Sequence, residues 1–300
     1  MAASSSVITS SGLRPTGGSV KRHKTINLVL LYAIIILLSV VFMFPFFWTV
    51  SSSLKTPEEI NTFPPTWFPK VPQFVNYVRV FQKVPFLTWI KNSVIVVILG
   101  TSGALISSSI VAYSFARFEY RGRDLIFLIT LGTMMLPAQV TLIPQFVLFH
   151  KLGWVPSIKP LWVPAWFGGG AFNIFLLRQF MMSLPKDLDE AAVIDGASYP
   201  RIFWRIVIPL CKPALATVTV LSFIGRWNDF IGPLIYLNTR ETFTLAVGLS
   251  YFQNLPEAPG VPLYHLLMAA SVLAILPILV LFFSAQRYFV QGIVLSGIKG

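Results

Sequence analysis

The sequence predicts an all-α membrane protein with six bilayer-crossing helices, and three observations predict it. Hydrophobic residues make up 55% of the 300 and charged residues only 11%, against about 25% charged in a soluble domain; a soluble fold of this size could not cover its surface. Six stretches reach the roughly 20 mostly apolar residues that a helix needs to cross a bilayer. The basic residues are also distributed unevenly between the segments joining those stretches. Disorder over the whole chain requires low hydrophobicity and is excluded. A β-barrel would show short alternating strands in place of long apolar runs.

The elements follow in order. Residues 1–24 are Ser-, Gly- and Thr-rich and then basic (Lys21, Arg22, Lys24), and read as a disordered N-terminus on the cytoplasmic side. The first span, 28–50, carries no charge. It is longer than the apolar core of a signal peptide and no small-residue cleavage site follows, so it reads as a retained anchor. Spans two to six are 93–116, 125–149, 160–182, 215–237 and 264–285. Pro137 and Pro144 interrupt the third and predict a bend. Gly168, Gly169, Gly170 and Arg178 lie in the fourth, Arg226 and Asp229 in the fifth, and Pro277 in the sixth. Such interruptions are tolerated where a helix faces protein or a wet cavity. With the N-terminus inside, fourteen Lys and Arg fall on inner segments and eight on outer ones, which places both termini in the cytoplasm. The net charge of +12 then describes topology and implies no nucleic-acid partner. The transmembrane body covers 25–290, with a cytoplasmic loop at 183–212 and a cytoplasmic tail at 291–300.

The outer loop 51–92 opens on Thr56-Pro57-Glu58-Glu59. That is an N-cap, a proline at the first helical position, and acids suited to the helix dipole. Pro64, Pro65, Pro69 and Pro72 then predict an extended strip on the outer face.

The loop between spans four and five holds four of the eleven acids, namely Asp187, Asp189, Glu190 and Asp195. Pro185 suits a first helical turn, and Leu184, Leu188, Ala191 and Ala192 step by threes and fours. Gly196 suits a left-handed stop. Ser198 then offers a cap for a second helix from Tyr199-Pro200, striped by Ile202, Phe203, Ile206 and Val207 and ended at Pro209. The product is a helix–turn–helix knob outside the bilayer, suited to docking.

These residues carry a resemblance. Glu190-Ala191-Ala192, three residues, Gly196, nine residues, then Ile206, Ile208 and Pro209 resemble the EAA motif of ABC importer permeases, with Ile208 where the family has leucine. Phe172–Phe180 leading into Leu184-Pro185, the run Asp195-Gly196-Ala197, Trp227-Asn228-Asp229-Phe230 and the final Gly297–Gly300 look like the maltose-transporter branch.

The resemblance implies the type I importer transmembrane domain, six spans with a cytoplasmic coupling helix. It also implies a role as permease subunit of an ATP-driven, binding-protein-dependent importer of mono- or oligosaccharides in a bacterial or archaeal cytoplasmic membrane. The implied partners are a second, paralogous permease, two ABC ATPase subunits, an extracytoplasmic sugar-binding protein, the sugar and membrane lipid. Glu190, Ala191, Ala192, Asp195, Gly196, Ile206 and Pro209 become the ATPase-coupling residues. The outer loop after the fifth span, with Asn254, Glu257 and Gly260, becomes the approach to the binding protein, and the tail 291–300 a contact with the ATPases. An importer for a non-sugar solute is the alternative.

The chain shows no phosphate-binding Gly-rich loop with Lys and Ser or Thr, no His or Cys at metal-ligand spacing and no nucleophile–base pair. It is expected to hold no cofactor or metal and not to be an enzyme; ATP and Mg²⁺ are expected on the partner ATPases. A membrane transferase would need clustered acids or histidines at a membrane surface. A self-sufficient channel would conduct without ATPases. Charged residues inside spans are functional candidates. Arg226 and Asp229, at i and i+3, could pair along a helix face; Asn228 offers donors and an acceptor, and Trp227 a face for a sugar ring. Trp227, Asn228, Asp229 and, in the third span, Gln139 and Gln145 therefore either line a substrate path or pack between helices.

Overall fold

The computed structural model describes residues 17–258 and 261–297, with side chains described for 27–255 and 263–284. Met1–Val50 and Ser51–Gly300 are two compact units. The first holds most of helix α1 (Gly17–Ser53), whose Asn27–Ser53 part is long and apolar enough to cross a membrane. The helix begins inside the segment expected to be disordered up to residue 24. Once a long helix exists, each added residue gains a hydrogen bond without a new nucleation cost, and the basic turn is drawn in. Residues 1–16 lie outside the described part.

In the second unit, α2 (Pro57–Ile60) starts as expected. The Thr56 hydroxyl accepts from the Glu59 N–H at 3.2 Å, and Pro57 stands in the first turn. Glu59 is buried, and its carboxylate accepts from the Lys70 N–H at 2.9 Å and the Thr66 hydroxyl at 3.4 Å. Lys55 donates to the Thr66 carbonyl. Burial lowers its pKa from the ordinary lysine value, and Glu59 offsets part of that. The strip after α2 is not extended to its end. Helix α3 (Val75–Lys83) follows, burying Asn76 and Val80. The Asn76 side-chain amide donates to the Ser53 and Lys55 carbonyls, each at 2.9 Å, which ties α3 to the chain entering the loop. The Asn76-Val80-Val84 spacing of four residues was its signal in the sequence.

Helix α4 (Phe86–Arg117) spans the unit and joins two cores. Near its start Phe86, Trp89 and Val97 pack with Val80, Phe252, Leu266 and Ala270. Near its end Ala112, Tyr113, Phe115 and Ala116 pack with Ile174, Leu177, Met181, Ala192, Phe203 and Val207. The expected third span is two helices, α5 (Arg123–Gly132) and α6 (Ala138–Lys151). The pair turns by 98° across Leu136-Pro137, because proline there removes a helical donor and restricts the residue before it. The fourth span is α7 (Lys159–Trp162), a 3₁₀ turn Val163–Trp166, three glycines at φ +97°, +69° and +95°, and α8 (Ala171–Met182).

The loop expected at 183–212 folds into α9 (Asp187–Ile194), α10 (Tyr199–Ile202), a π turn Phe203–Val207 and α11 (Ile208–Leu210). Pro185 lies before α9 and not in its first turn, which Asp187 begins. Ser198 has the extended backbone of an N-cap but its hydroxyl makes no capping bond. Pro209 sits inside α11, since proline is tolerated in a first turn. The stop falls at Cys211, where the chain turns by 77° into α12 (Lys212–Trp227). The expected fifth span to residue 237 therefore ends at Trp227, with α13 (Ile231–Tyr236) a separate helix. Helix α14 (Leu245–Gln253) follows, then a two-stranded antiparallel hairpin of β1 (Pro256–Ala258) and β2 (Val261–Pro262). Helix α15 (Tyr264–Gly297) runs through Pro277 and into the stretch expected to be a separate tail. Among the described residues four helices are long and apolar enough to cross a membrane, and six if each bent pair counts as one span.

Candidate functional site

Two regions concentrate functional candidates. The first is the helix–turn–helix knob. Helix α9 opens on Asp187, Asp189 and Glu190, which complement the positive end of its dipole. It closes on Gly196 at φ +76°, with the Gly196 N–H on the Val193 carbonyl and the Ala197 N–H on the Ala192 carbonyl, both at 2.9 Å. This is the left-handed stop that glycine adopts without a Cβ penalty. A Cβ at Gly196 would meet nothing within 4 Å of this chain. Of the α9 residues only Ala192 is buried, in the core that also holds Tyr113 and Ala116 of α4.

The side expected to be apolar is therefore mostly free. Leu188 is 41% exposed, Val193 47% and Ile194 86%, with Glu190, Ala191 and Asp195 exposed beside them. Ile206 is half-buried and Pro209 exposed. Beneath the knob, the Arg117 Nε at the end of α4 lies 3.0 Å from the Asp189 Oδ2, and its Nη1 donates to the Leu184 carbonyl at 3.2 Å. The sequence reading had counted Arg117 only as a topological charge; its place as the last residue of an apolar run was the available signal.

The second region is a cavity of about 690 Å³. Helix α6 contributes Gln145 and Phe149, the following loop Trp154, the fourth span Leu161 and Gly169, the end of α12 Arg226, the next turn Asp229, and the end of α13 Tyr236. Of the residues expected to form a path, Asp229 and Gln145 line this cavity. Gln139 does not; it is exposed in the first turn of α6.

Trp227 does not line this cavity and is mostly enclosed by its neighbours; with Asn228 it borders a separate crevice. It is 5% exposed, stacked on Phe223 at 5.6 Å, and its Nε1 donates to the Ala274 carbonyl of α15 at 3.1 Å. The phase of α12 explains this, because the residue before it, Arg226, points the other way. Asn228 borders a separate crevice of about 190 Å³ with Leu245 and Ser271, and its amide donates back to the Ile224 carbonyl at 3.0 Å.

Arg226 and Asp229 do not form the helical pair, because α12 ends between them. Arg226 donates to the Leu161 carbonyl at 3.1 Å, and its guanidinium occupies the space where a Cβ on Gly100 would stand. Asp229 accepts from the Gly232 N–H in the first turn of α13 at 3.2 Å. Trp154 and Tyr236 were missed by the sequence reading, since nothing local separates a cavity aromatic from a core one.

Outside these two regions, Asn254 is exposed at the end of α14 and its amide donates to the Ser250 carbonyl at 3.1 Å. The loop after α14 contains the paired strands β1 and β2. The Glu257 side chain and all of Gly260 lie outside the described residues.

A family model described as binding-protein-dependent transport system inner membrane component matches residues 104–295, across both regions. The chain belongs to that family. This makes it a membrane transport permease and not one of the enzymes considered above. It is 34% identical to an arabinooligosaccharides transport system permease protein of Bacillus subtilis, over 88% of this chain and 93% of that protein. It is 33% identical to a trehalose/maltose transport system permease protein of Thermococcus litoralis, over 93% and 99%. A solved bacterial ABC transporter involved in the import of the acidic polysaccharide alginate contains a chain of the same fold. The TM-score is 0.78 at 27% identity, over 92% of this permease and all of that chain.

Proposed function

We propose that this permease is one of two transmembrane subunits of an ATP-driven, binding-protein-dependent importer of mono- or oligosaccharides. The observation that carries the reading is α9. It is a short helix of the EAA motif, held by one buried alanine and closed at Gly196, and it leaves Glu190, Ala191 and Ile194 free. Leu188, Val193 and Ile194 are all exposed on this one short helix, and grouped apolar surface of that kind marks an interaction site. The small Ala191 permits close approach, and Glu190 can pair with a basic residue of that partner.

The partner is an ABC ATPase subunit, which supplies the site for ATP and Mg²⁺. Two such ATPases, a paralogous permease and an extracytoplasmic sugar-binding protein complete the transporter, with both termini of this chain in the cytoplasm. Asp195, Gly196, Ile206 and Pro209 complete the coupling loop. The hairpin beside Asn254 faces the binding protein.

The cavity supports the substrate class. Gln145, Asp229 and Arg226 offer donors and acceptors, and Phe149, Trp154 and Tyr236 apolar walls, the mixture that a polyhydroxylated ring requires. Named sugar permeases among the relatives support the same class.

The test is uptake by the assembled transporter in proteoliposomes. Glu190→Arg and Ile194→Asp alter exposed side chains, so the chain inserts normally while uptake and binding-protein-stimulated ATP hydrolysis are lost. Wild-type uptake in both variants would overturn the docking assignment.

A further inference from the structure

We infer that Arg117 is the positioning residue that locks the coupling helix to the transmembrane body, and that the Arg117–Asp189 pair makes ATP hydrolysis and solute movement stoichiometric. The inference rests on the docking role proposed for α9.

The argument starts from how little else holds α9. Its one buried side chain is Ala192. A single alanine gives a point of contact but no resistance to rolling about the helix axis. A helix that transmits force must not roll, so something must fix its azimuth. Two contacts from Arg117 do so at one end. The guanidinium Nε stands 3.0 Å from Asp189 in the first turn of α9, and Nη1 donates to the Leu184 carbonyl in the bend leading into α9 at 3.2 Å.

The geometry favours this pair over a surface ion pair. The side chains are only 5% and 18% exposed, so solvent screening is weak. Arg117 closes the last turn of α4 and Asp189 stands in the first turn of α9; each charge complements the dipole of its own helix as well as the other charge. Arg117 Nε and the second carboxylate oxygen, Asp189 Oδ1, are both buried without a hydrogen-bond partner among the described residues, so the contact is a buried ion pair in which no other donor stands beside the carboxylate to replace Arg117. The other ion pair of this region, Lys186 with Glu119 at 4.0 Å, is 67% and 82% exposed and cannot take over.

Packing makes the pair's support stiff. Tyr113 lies 5.0 Å from Phe203 and 5.4 Å from Phe118, and Phe118 lies 5.0 Å from Tyr199. The end of α4 and the second helix of the knob thus form one aromatic block, and Arg117 fastens α9 to that block. Motion imposed on α9 then moves α4 with it. Without the pair, the ATPase can rock α9 on Ala192 while the spans stay still.

The experiment measures solute imported per ATP hydrolysed by the complete transporter in proteoliposomes, for Arg117→Met, Asp189→Asn, their double variant and Arg117→Lys. Asp189→Asn is nearly isosteric, which keeps assembly intact. Each single variant is expected to raise the ATP consumed per solute about tenfold, with stimulated hydrolysis retained, and the double variant to be no worse than either single. Arg117→Lys restores part of the ratio by keeping the charge. An unchanged ratio, or losses in the double variant that multiply those of the singles, overturns the inference. Glu190→Arg is run in parallel. If it leaves uptake and stimulation at wild-type level, the docking role of α9 fails; if it abolishes them while the Arg117 and Asp189 variants keep a normal ratio, only the lock fails.

Discussion

Gly169 tests the packing of the broken fourth span. The three consecutive glycines share one sequence context, yet the structure separates them. A Cβ at Gly169 would fall on the Ala104 carbonyl oxygen of α4 and 2.8 Å from both Ser107 Oγ and Ser108 Cβ, whereas a Cβ at Gly168 would meet nothing within 4 Å. Both have positive φ, +97° at Gly168 and +69° at Gly169. An alanine at either site therefore carries a left-handed penalty of about 1–2 kcal/mol. Only Gly169→Ala adds the overpacking term, about 1–3 kcal/mol, because its obstacle is backbone of a long helix that cannot rotate aside.

The totals are about 1–2 kcal/mol for Gly168→Ala and about 2–5 kcal/mol for Gly169→Ala. The strain also falls where the Ser107 hydroxyl donates to the Ala165 carbonyl at 2.8 Å and the Asn173 amide to the Gly169 carbonyl at 2.8 Å, so the larger value is favoured. The assay is thermal unfolding of the purified transporter in detergent, read as the loss of monodisperse complex with temperature. Gly169→Ala lowers the midpoint clearly more than Gly168→Ala. Equal shifts, or a larger one for Gly168→Ala, would refute the reasoning.

Other substitutions test other contacts. Gly248→Ala sets a Cβ onto the fully buried Trp89 ring; by the same overpacking argument it costs about 1–3 kcal/mol, and a lower unfolding midpoint checks it. Thr56→Ala removes the N-cap bond to Glu59 and costs about 1 kcal/mol, seen as faster proteolysis of the 51–74 segment. Asp229→Ala removes a cavity acceptor and raises the KM of uptake several-fold, while ATP hydrolysis without the binding protein is unchanged. Gly196→Asn, which tolerates the left-handed region better than Gly196→Ala, destabilises less than Gly196→Ala in the same unfolding assay.

The knob was the most legible part of the fold, because its signals are local: acids at one end of α9, a glycine at the other and a stripe at 202, 203 and 207. Its binding face was less legible. The three- and four-residue steps of Leu184, Leu188, Ala191 and Ala192 suggested an apolar side, but only Ala192 is buried and Leu184 half-buried against the same core, while Leu188 and Ala191 are exposed. Sequence periodicity says which residues share a face, and says nothing of how far a neighbour reaches across it. Helix α3 was hidden by the four prolines ahead of it. The lock on α9 was hidden for a different reason, since Arg117 and Asp189 are 72 positions apart and meet only because α8 returns along α4.

The cavity offers the sharper lesson, because residue chemistry and backbone interruption overlap there only in part. Chemistry singles out Trp227, Asn228, Asp229, Gln139 and Gln145; Asp229 and Gln145 line the cavity, Asn228 borders another crevice, Trp227 is packed against Phe223 and α15, and Gln139 is exposed away from the cavity. Interruption singled out the third, fourth and fifth spans, by Pro137 and Pro144, by the glycine run, and by Arg226 and Asp229. Every residue lining the 690 Å³ cavity lies between Leu142 and Tyr236, within those spans and the segments joining them, and none comes from the second or sixth. The physical reason is that unpaired backbone groups inside a membrane protein need water or protein to satisfy them. A broken span therefore marks a wet or closely packed site whatever side chains it carries. The side chains that then face the cavity depend on helix phase, and phase is reset at each break: α12 ends at Trp227, so Arg226 and Asp229, three residues apart, reach the cavity from different elements.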